Sequence, residues 1–181
     1  IVFDNRFISE RVNQIRNWNM EFIHGDILDK DLVNKYFKDA DIVHHLAGVT
    51  QVPRTKSESN KEIDEKIKLV GEKGTQNILD VISDDCKIIF PSTHVVYEGI
   101  SEIKTEIKEN ELTKPVLSYS SSKAINENQL KKSGKNYIIL RLGSVYGYST
   151  DSMRIDIMPN LFSKIASQNG TLKLFAGGRQ I

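Results

Sequence analysis

The chain has 181 residues, with 25 Lys and Arg against 24 Asp and Glu and a formal charge of +1 at pH 7. That balance argues against a dedicated nucleic-acid binder, which needs surplus cations, and no apolar run approaches the ~18 residues that span a bilayer. The single cysteine, Cys86, excludes a disulfide framework and a cysteine-rich zinc site and fits a reducing, cytoplasmic setting.

Short apolar runs alternate with longer helical stretches, the pattern of an α/β protein with a mainly parallel sheet. The chain opens on a β-like run, Ile1–Phe3, already under way, and stops at Phe175–Ile181 without an obvious terminal element. It reads as an internal piece of something longer. Phe7 to Asn17 follows with apolar residues near a 3.6 period, then a strand at Met20–His24. Asp29–Phe37 is a helix with an acidic residue placed to cap it, and Asp41–Leu46 a third strand. Gln51–Lys61 is a polar loop. Ile63–Ile82 is the longest helix, and Gly71 and Gly74 inside it predict close backbone packing. Lys87–Pro91 is a strong strand, Gly99–Lys114 a polar loop, Ser118–Lys132 a helix, Tyr137–Leu140 a strand and Ile155–Gln168 a last helix. The strands end in small or polar residues. In open α/β sheets the ligand crevice lies outside the carboxyl ends of the strands, so these residues share one rim.

Several rim residues could carry chemistry. Tyr119 and Lys123 stand four apart, on one face of a helix. An ammonium beside a phenol lowers its pKa and makes it a usable base. With six tyrosines in the chain, one such pair is an ordinary coincidence when taken alone. Ser92 and Thr93 leave a strand as a simple turn would, or present a hydroxyl to a substrate oxygen. Asp4 and Asp26 are each either a turn or cap residue or an acceptor for a ribose diol. His24, His44, His45 and His94 lack metal-ligand spacing and read as structural. The cations and glycine of Lys131–Lys135 suit a helix C-terminus.

The order of these features is more telling than any one of them. Val2–Asn5 (VFDN), His24–Ile27 (HGDI), His45–Gly48 (HLAG), Lys73–Leu79 (KGTQNIL), Pro91–Tyr97 (PSTHVVY), Tyr119–Lys123 (YSSSK), Leu140–Gly147 (LRLGSVYG) and Leu174–Gln180 (LFAGGRQ) follow one another along the chain. In that order they resemble the extended short-chain dehydrogenase/reductase family, within it the NAD-dependent epimerase/dehydratase group acting on nucleotide sugars. The resemblance implies a doubly wound Rossmann-type parallel sheet over 1–181, here lacking its first strand and its C-terminal substrate region. It implies NAD as cofactor, a nucleotide-sugar substrate and, by analogy, a homodimer formed through 63–82 and 118–132. Thr93 would hydrogen-bond the reacting hydroxyl, Tyr119 would be the acid/base and Lys123 would hold the nicotinamide ribose. Asp4, Asn5, Asp26, Ile27, Leu46, Ala47 and Gly48 would line the cofactor, and Ser144 the substrate. An acidic Asp4 suits NAD over NADP.

The departures narrow the reaction. The family's Gly-rich pyrophosphate turn is absent, and belongs about 20–30 residues before Ile1. Dehydratases of the group carry Asp-Glu after the Thr, where this chain has His94 and Val95, so sugar dehydration is disfavoured. Gly71 and Ser144 occupy places where many members have Asn, and the segment between Gly48 and Gly74 is several residues longer than in galactose epimerases. The expected activity is epimerisation of a nucleotide sugar through a transient keto-sugar. The alternatives are an NAD(P)-dependent reductase or dehydrogenase of the same family and, in another class, a non-catalytic NAD-binding regulator, which the intact Tyr/Lys pair disfavours.

Overall fold

The computed structural model describes residues 1–50, 60–102, 104–149 and 153–174. Parallel strands alternate with helices. In chain order these are β1 (Val2–Asp4), α1 (Ser9–Asn17), β2 (Phe22–His24), α2 (Lys30–Phe37), β3 (Ile42–His44), α3 (Lys61–Lys68), α4 (Gly74–Val81), β4 (Lys87–Thr93), α5 (Ser118–Lys132), β5 (Asn136–Leu142) and α6 (Met158–Ser167). The strands form two parallel pieces, β1–β2 and β3–β4–β5, with β4 central in the second. The α/β architecture is the one the alternation predicts. Among the described residues no helix is long and apolar enough to cross a membrane.

Ile88 and Phe90 on β4 are buried, together with Val43, Ile78, Leu79 and Leu130, so β4 is sandwiched between its neighbours and the α4–α5 layer. Asp29 caps α2 as expected, its Oδ1 accepting from Leu32 N at 3.0 Å. The long helix differs from expectation. It is interrupted by a π-helical turn, Leu69–Lys73, between α3 and α4. The two glycines explain the geometry: a Cβ at Gly71 would collide with Ser122 Oγ on α5, and one at Gly74 with the Ile27 side chain. The wider turn turns carbonyls outward, and α5 uses them, Asn126 donating to Gly71 O at 3.0 Å and Gln129 to Glu72 O at 3.0 Å.

Strand ends also differ. β3 stops at His44, where Leu46 N folds back onto His44 O. β4 runs two residues beyond the expected stop at Pro91. On β4, Lys87 and Ile89 bond toward β3, through Lys87 N to Asp41 O and His45 N to Ile89 O. By the alternation of a parallel ladder Pro91 faces that side too, where β3 has already ended, so its missing N–H leaves no gap in the pairing. The last helix starts at Met158, three residues later than the periodicity places it, with Pro159 in its first turn. Most of the polar loop 51–61 and of the motif Leu174–Gln180 lies outside the described residues.

Candidate active site

α5 packs along β4 and against the 3₁₀ turn His94–Tyr97 that follows it. This brings the helix bearing Tyr119 and Lys123 to the strand end bearing Thr93. Lys123 Nζ donates to Pro91 O at 2.8 Å, the carbonyl freed by the early end of β3. It lies 4.4 Å from the Phe90 ring centroid and 5.9 Å from that of Tyr119. Burial pushes Lys123 down to about 8. Thr93 is buried, and its Oγ1 accepts from Val95 N at 3.3 Å, which leaves the hydroxyl proton to donate elsewhere.

The expectation that Lys123 lowers the Tyr119 phenol is not met. Burial holds that phenol above its ordinary value, opposed by the charge of Arg154 rather than of Lys123. The Lys123 ammonium is committed to Pro91 and the Phe90 face. Arg154 pairs with Asp156 at 2.7 Å. It lines a cavity of about 280 Å³ together with Val145, Tyr146, Tyr148, Met153 and Asn160. Exposed Ser144 immediately precedes this wall.

The other rim residues are more loosely held. Asp4 is exposed at the end of β1, with Oδ1 accepting from Arg6 N at 2.8 Å, a local turn. Asn5 Nδ2 donates to Asp26 Oδ2 at 2.9 Å, and Asp26 Oδ1 accepts from Leu28 N. Leu46, Ala47 and Gly48 are exposed after β3, Leu46 at 71%. Ile27 stands apart: its side chain is in the core beneath Gly74, and Asn77 Nδ2 donates to its carbonyl at 2.9 Å.

Beneath the rim lies a buried network that motif reading did not single out. Glu127, two turns beyond Tyr119 and one beyond Lys123 on α5, is 2% exposed. It accepts from Ser92 Oγ at 2.6 Å and, bidentately, from Arg141 Nε at 2.9 Å and Nη2 at 2.6 Å. Burial opposes its charge, but the bonds from Arg141 and Ser92 and the charges of Arg141 and Lys131 prevail, leaving it below the usual carboxylate range. Arg141 also donates to Tyr97 Oη and to Glu109 O. The i, i+4, i+8 run Tyr119–Lys123–Glu127 was the available signal. His45 is structural, as expected: it is 3% exposed, bonded to Thr75 Oγ1 at 2.8 Å, and burial pushes it down to about 3, so it stays neutral beside Lys123. No group of His, Cys, Asp and Glu able to hold a metal ion occurs among the described residues.

The sequence model of the NAD dependent epimerase/dehydratase family matches residues 1–181. The chain belongs to that family. Among curated relatives, a CDP-paratose 2-epimerase of Salmonella typhi is 36% identical over 125 residues, covering 62% of this chain and 35% of that protein. A 3beta-hydroxysteroid-dehydrogenase/decarboxylase isoform 2 of Arabidopsis thaliana is 26% identical over 147 residues, covering 74% of this chain and 24% of its own length. The chain thus spans about a third or less of the curated relatives it matches. Among solved structures, a UDP-glucuronic acid 4-epimerase of Bacillus cereus, in complex with UDP-glucuronic acid and NAD, is 25% identical with a TM-score of 0.72, covering 98% of this chain and 58% of that one.

Proposed function

We propose that the protein is an NAD-dependent epimerase of a nucleotide sugar, with Tyr119, Lys123 and Thr93 as its catalytic set and residues 1–181 forming one NAD-binding domain. The observation that carries this reading is the placement of Tyr119 and Lys123 one turn apart on α5, with Lys123 fixed to Pro91 O two residues before Thr93. The rim suits a dinucleotide. Asp4 offers a carboxylate for the adenosine ribose, and Asn5 and Asp26 lie beside it. Among the described residues nothing lies within 4 Å of a Cβ built at Gly48, which supports an open approach to the cofactor there. The Lys123 ammonium has three protons, and Pro91 takes one. Ile27 would contribute through its backbone position only.

NAD, when bound, supplies a hydride acceptor and donor. Tyr119 would take the proton of a sugar hydroxyl while the carbon bearing it loses hydride. Thr93 would hold that hydroxyl in line, and Lys123 would fix the nicotinamide ribose. Return of hydride to the opposite face of the keto-sugar, with the proton returned by Tyr119, gives the epimer. Ser144 and the cavity beside it would take the sugar nucleotide. The 36% identity to a CDP-sugar epimerase supports this substrate class. His94 and Val95 after Thr93 provide no carboxylate pair for dehydration, and His94 Nδ1 lies 3.1 Å from Leu142 O.

The likeness to a hydroxysteroid dehydrogenase supports a second reading, an NAD(P)-dependent dehydrogenase or reductase. The two part on net cofactor turnover. The test incubates the full-length protein and NAD with CDP- and UDP-sugars, CDP-paratose and UDP-glucuronic acid included, and reads product stereochemistry by NMR and NADH by absorbance. Inversion without net NADH is expected; accumulating NADH favours the second reading. Tyr119→Phe is expected to lower turnover at least about a thousandfold while NAD affinity stays within about threefold. Unchanged turnover removes Tyr119 from its role. We further place the protein in the cytoplasm, on the buried reduced Cys86. We also read it as a homodimer whose partner covers exposed Leu69 and Ile125, which sedimentation checks against a monomer.

A further inference from the structure

The N-terminus of α5 is held by a residue from elsewhere in the chain. Leu117 occupies the N-cap position and has no side-chain oxygen with which to satisfy the first turn. Its N–H and that of Val116 both donate to Glu98 Oε1, at 2.7 and 2.8 Å. The Ser120 hydroxyl, fully buried in the first turn, shares its one proton between the same oxygen and Leu117 O, and its oxygen also accepts from Leu117 N at 3.2 Å. Glu98 is itself fixed in place: it closes the 3₁₀ turn His94–Tyr97, with Glu98 N donating to Val95 O. The next residue runs against the segment leading into α5, since Gly99 N donates to Lys114 O at 2.8 Å and a Cβ at Gly99 would meet that oxygen at 2.6 Å. Lys114 N completes the clasp on Val96 O.

One short path therefore connects Thr93 to Tyr119. Thr93 Oγ1 caps the turn through Val95 N, the turn presents Glu98, and Glu98 grips the residues flanking Tyr119. We propose that Glu98 is a positioning residue that sets Tyr119 against Thr93. The claim rests on the catalytic reading of Tyr119 for its kinetic part only. Glu98 is exposed, so water can replace it as an acceptor for the freed N–H groups. Its loss is therefore felt in the placement of the helix end more than in global stability, and small misplacements of reacting groups are costly in rate.

The test compares Glu98→Ala, which removes the acceptor, with Glu98→Gln, which keeps an oxygen at the same reach. In the full-length protein, amide hydrogen exchange at Val116 should quicken about tenfold or more in Glu98→Ala and stay within about threefold in Glu98→Gln, while Leu117, which keeps Ser120 Oγ as an acceptor, should change less. With the sugar nucleotide turned over in the screen above, kcat should fall about 10–100-fold in Glu98→Ala, with KM and NAD affinity within about twofold. Glu98→Gln should retain at least a third of kcat. Wild-type exchange in Glu98→Ala overturns the clasp. An equal kcat loss in both variants overturns positioning in favour of charge. If Tyr119→Phe turns over normally while exchange behaves as expected, the catalytic reading fails and the clasp stands.

Discussion

The two sides of the rim are built differently. On the β4–α5 side polar groups are buried and hold one another: Glu127 to Ser92 and Arg141, Lys123 to Pro91, His45 to Thr75. On the β1–β2 side Asp4, Asn5 and Asp26 sit at the ends of three-residue strands and, among the described residues, bond to neighbouring turns. Proton and hydride chemistry needs groups fixed to within fractions of an ångström. A ribose at a rim needs only an acceptor within reach. On the proposed reading, the fixed side would hold buried charge for its chemistry, while the loose side could change affinity with little effect on folding.

The sharpest break in that contrast is Glu127→Ala. It leaves Arg141 inside the protein without its carboxylate and Ser92 without an acceptor. Losing one partner of a buried pair costs about 3–5 kcal/mol, read as a lower denaturant midpoint. By contrast the Lys30–Asp80 pair, at 2.6 Å but with side chains 54% and 35% exposed, should contribute under about 1 kcal/mol. A Glu127→Ala loss no larger than that of Asp80→Ala would dissolve the distinction between the two sides.

Lys123→Met tests the cost of function directly. Burial holds Lys123 near 8 in the fold against an ordinary 10.5. Between those values the unfolded chain binds more protons than the folded one, so wild-type stability rises with pH across this window. Below about pH 8 the fold bears the full penalty of the buried ammonium. Removing it should raise stability at pH 7 by about 2 kcal/mol, the pKa displacement less the lost bond to Pro91. The rise from pH 8 to 10.5 should flatten, and turnover should vanish. A less stable variant at pH 7 would mean that the ammonium supports the fold.

Much of this was legible in the residues. The α5 boundaries follow from its composition, and the glycine pair in the long helix foretold close packing that the structure shows at Ser122 and Ile27. Local patterns fall short where a partner is distant in sequence. The carbonyls of the π turn at Leu69–Lys73 are taken by Asn126 and Gln129, more than fifty residues away. Glu127 looks like any helix glutamate until β5 brings Arg141 to it. Ile27 sits in a motif whose neighbours face the rim, yet its side chain turns into the core because Gly74 leaves room for it. The Tyr–Lys spacing places two groups on one face but does not fix where the ammonium goes, and Pro91 O decides that.

The smallest effect expected is on the loose side. Asp4→Asn keeps an oxygen that can accept from Arg6 N, so the turn after β1 survives and the melting temperature should move by less than about 1 °C. What it removes is the charge on an acceptor facing solvent. Hydrogen bonds to charged groups are worth about 1.5–3 kcal/mol against about 1 kcal/mol for neutral ones. The NAD dissociation constant of the full-length protein should therefore rise about three- to tenfold, with kcat at saturating NAD unchanged. The same substitution removes a negative charge that would repel a ribose 2′-phosphate, so the preference for NAD over NADP should narrow by a larger factor than NAD affinity falls. Calorimetric titration with both dinucleotides reads the two effects separately. A loss of kcat in Asp4→Asn would show that the β1 end is coupled to α5 after all, and the division between a fixed and a loose side would have to be abandoned.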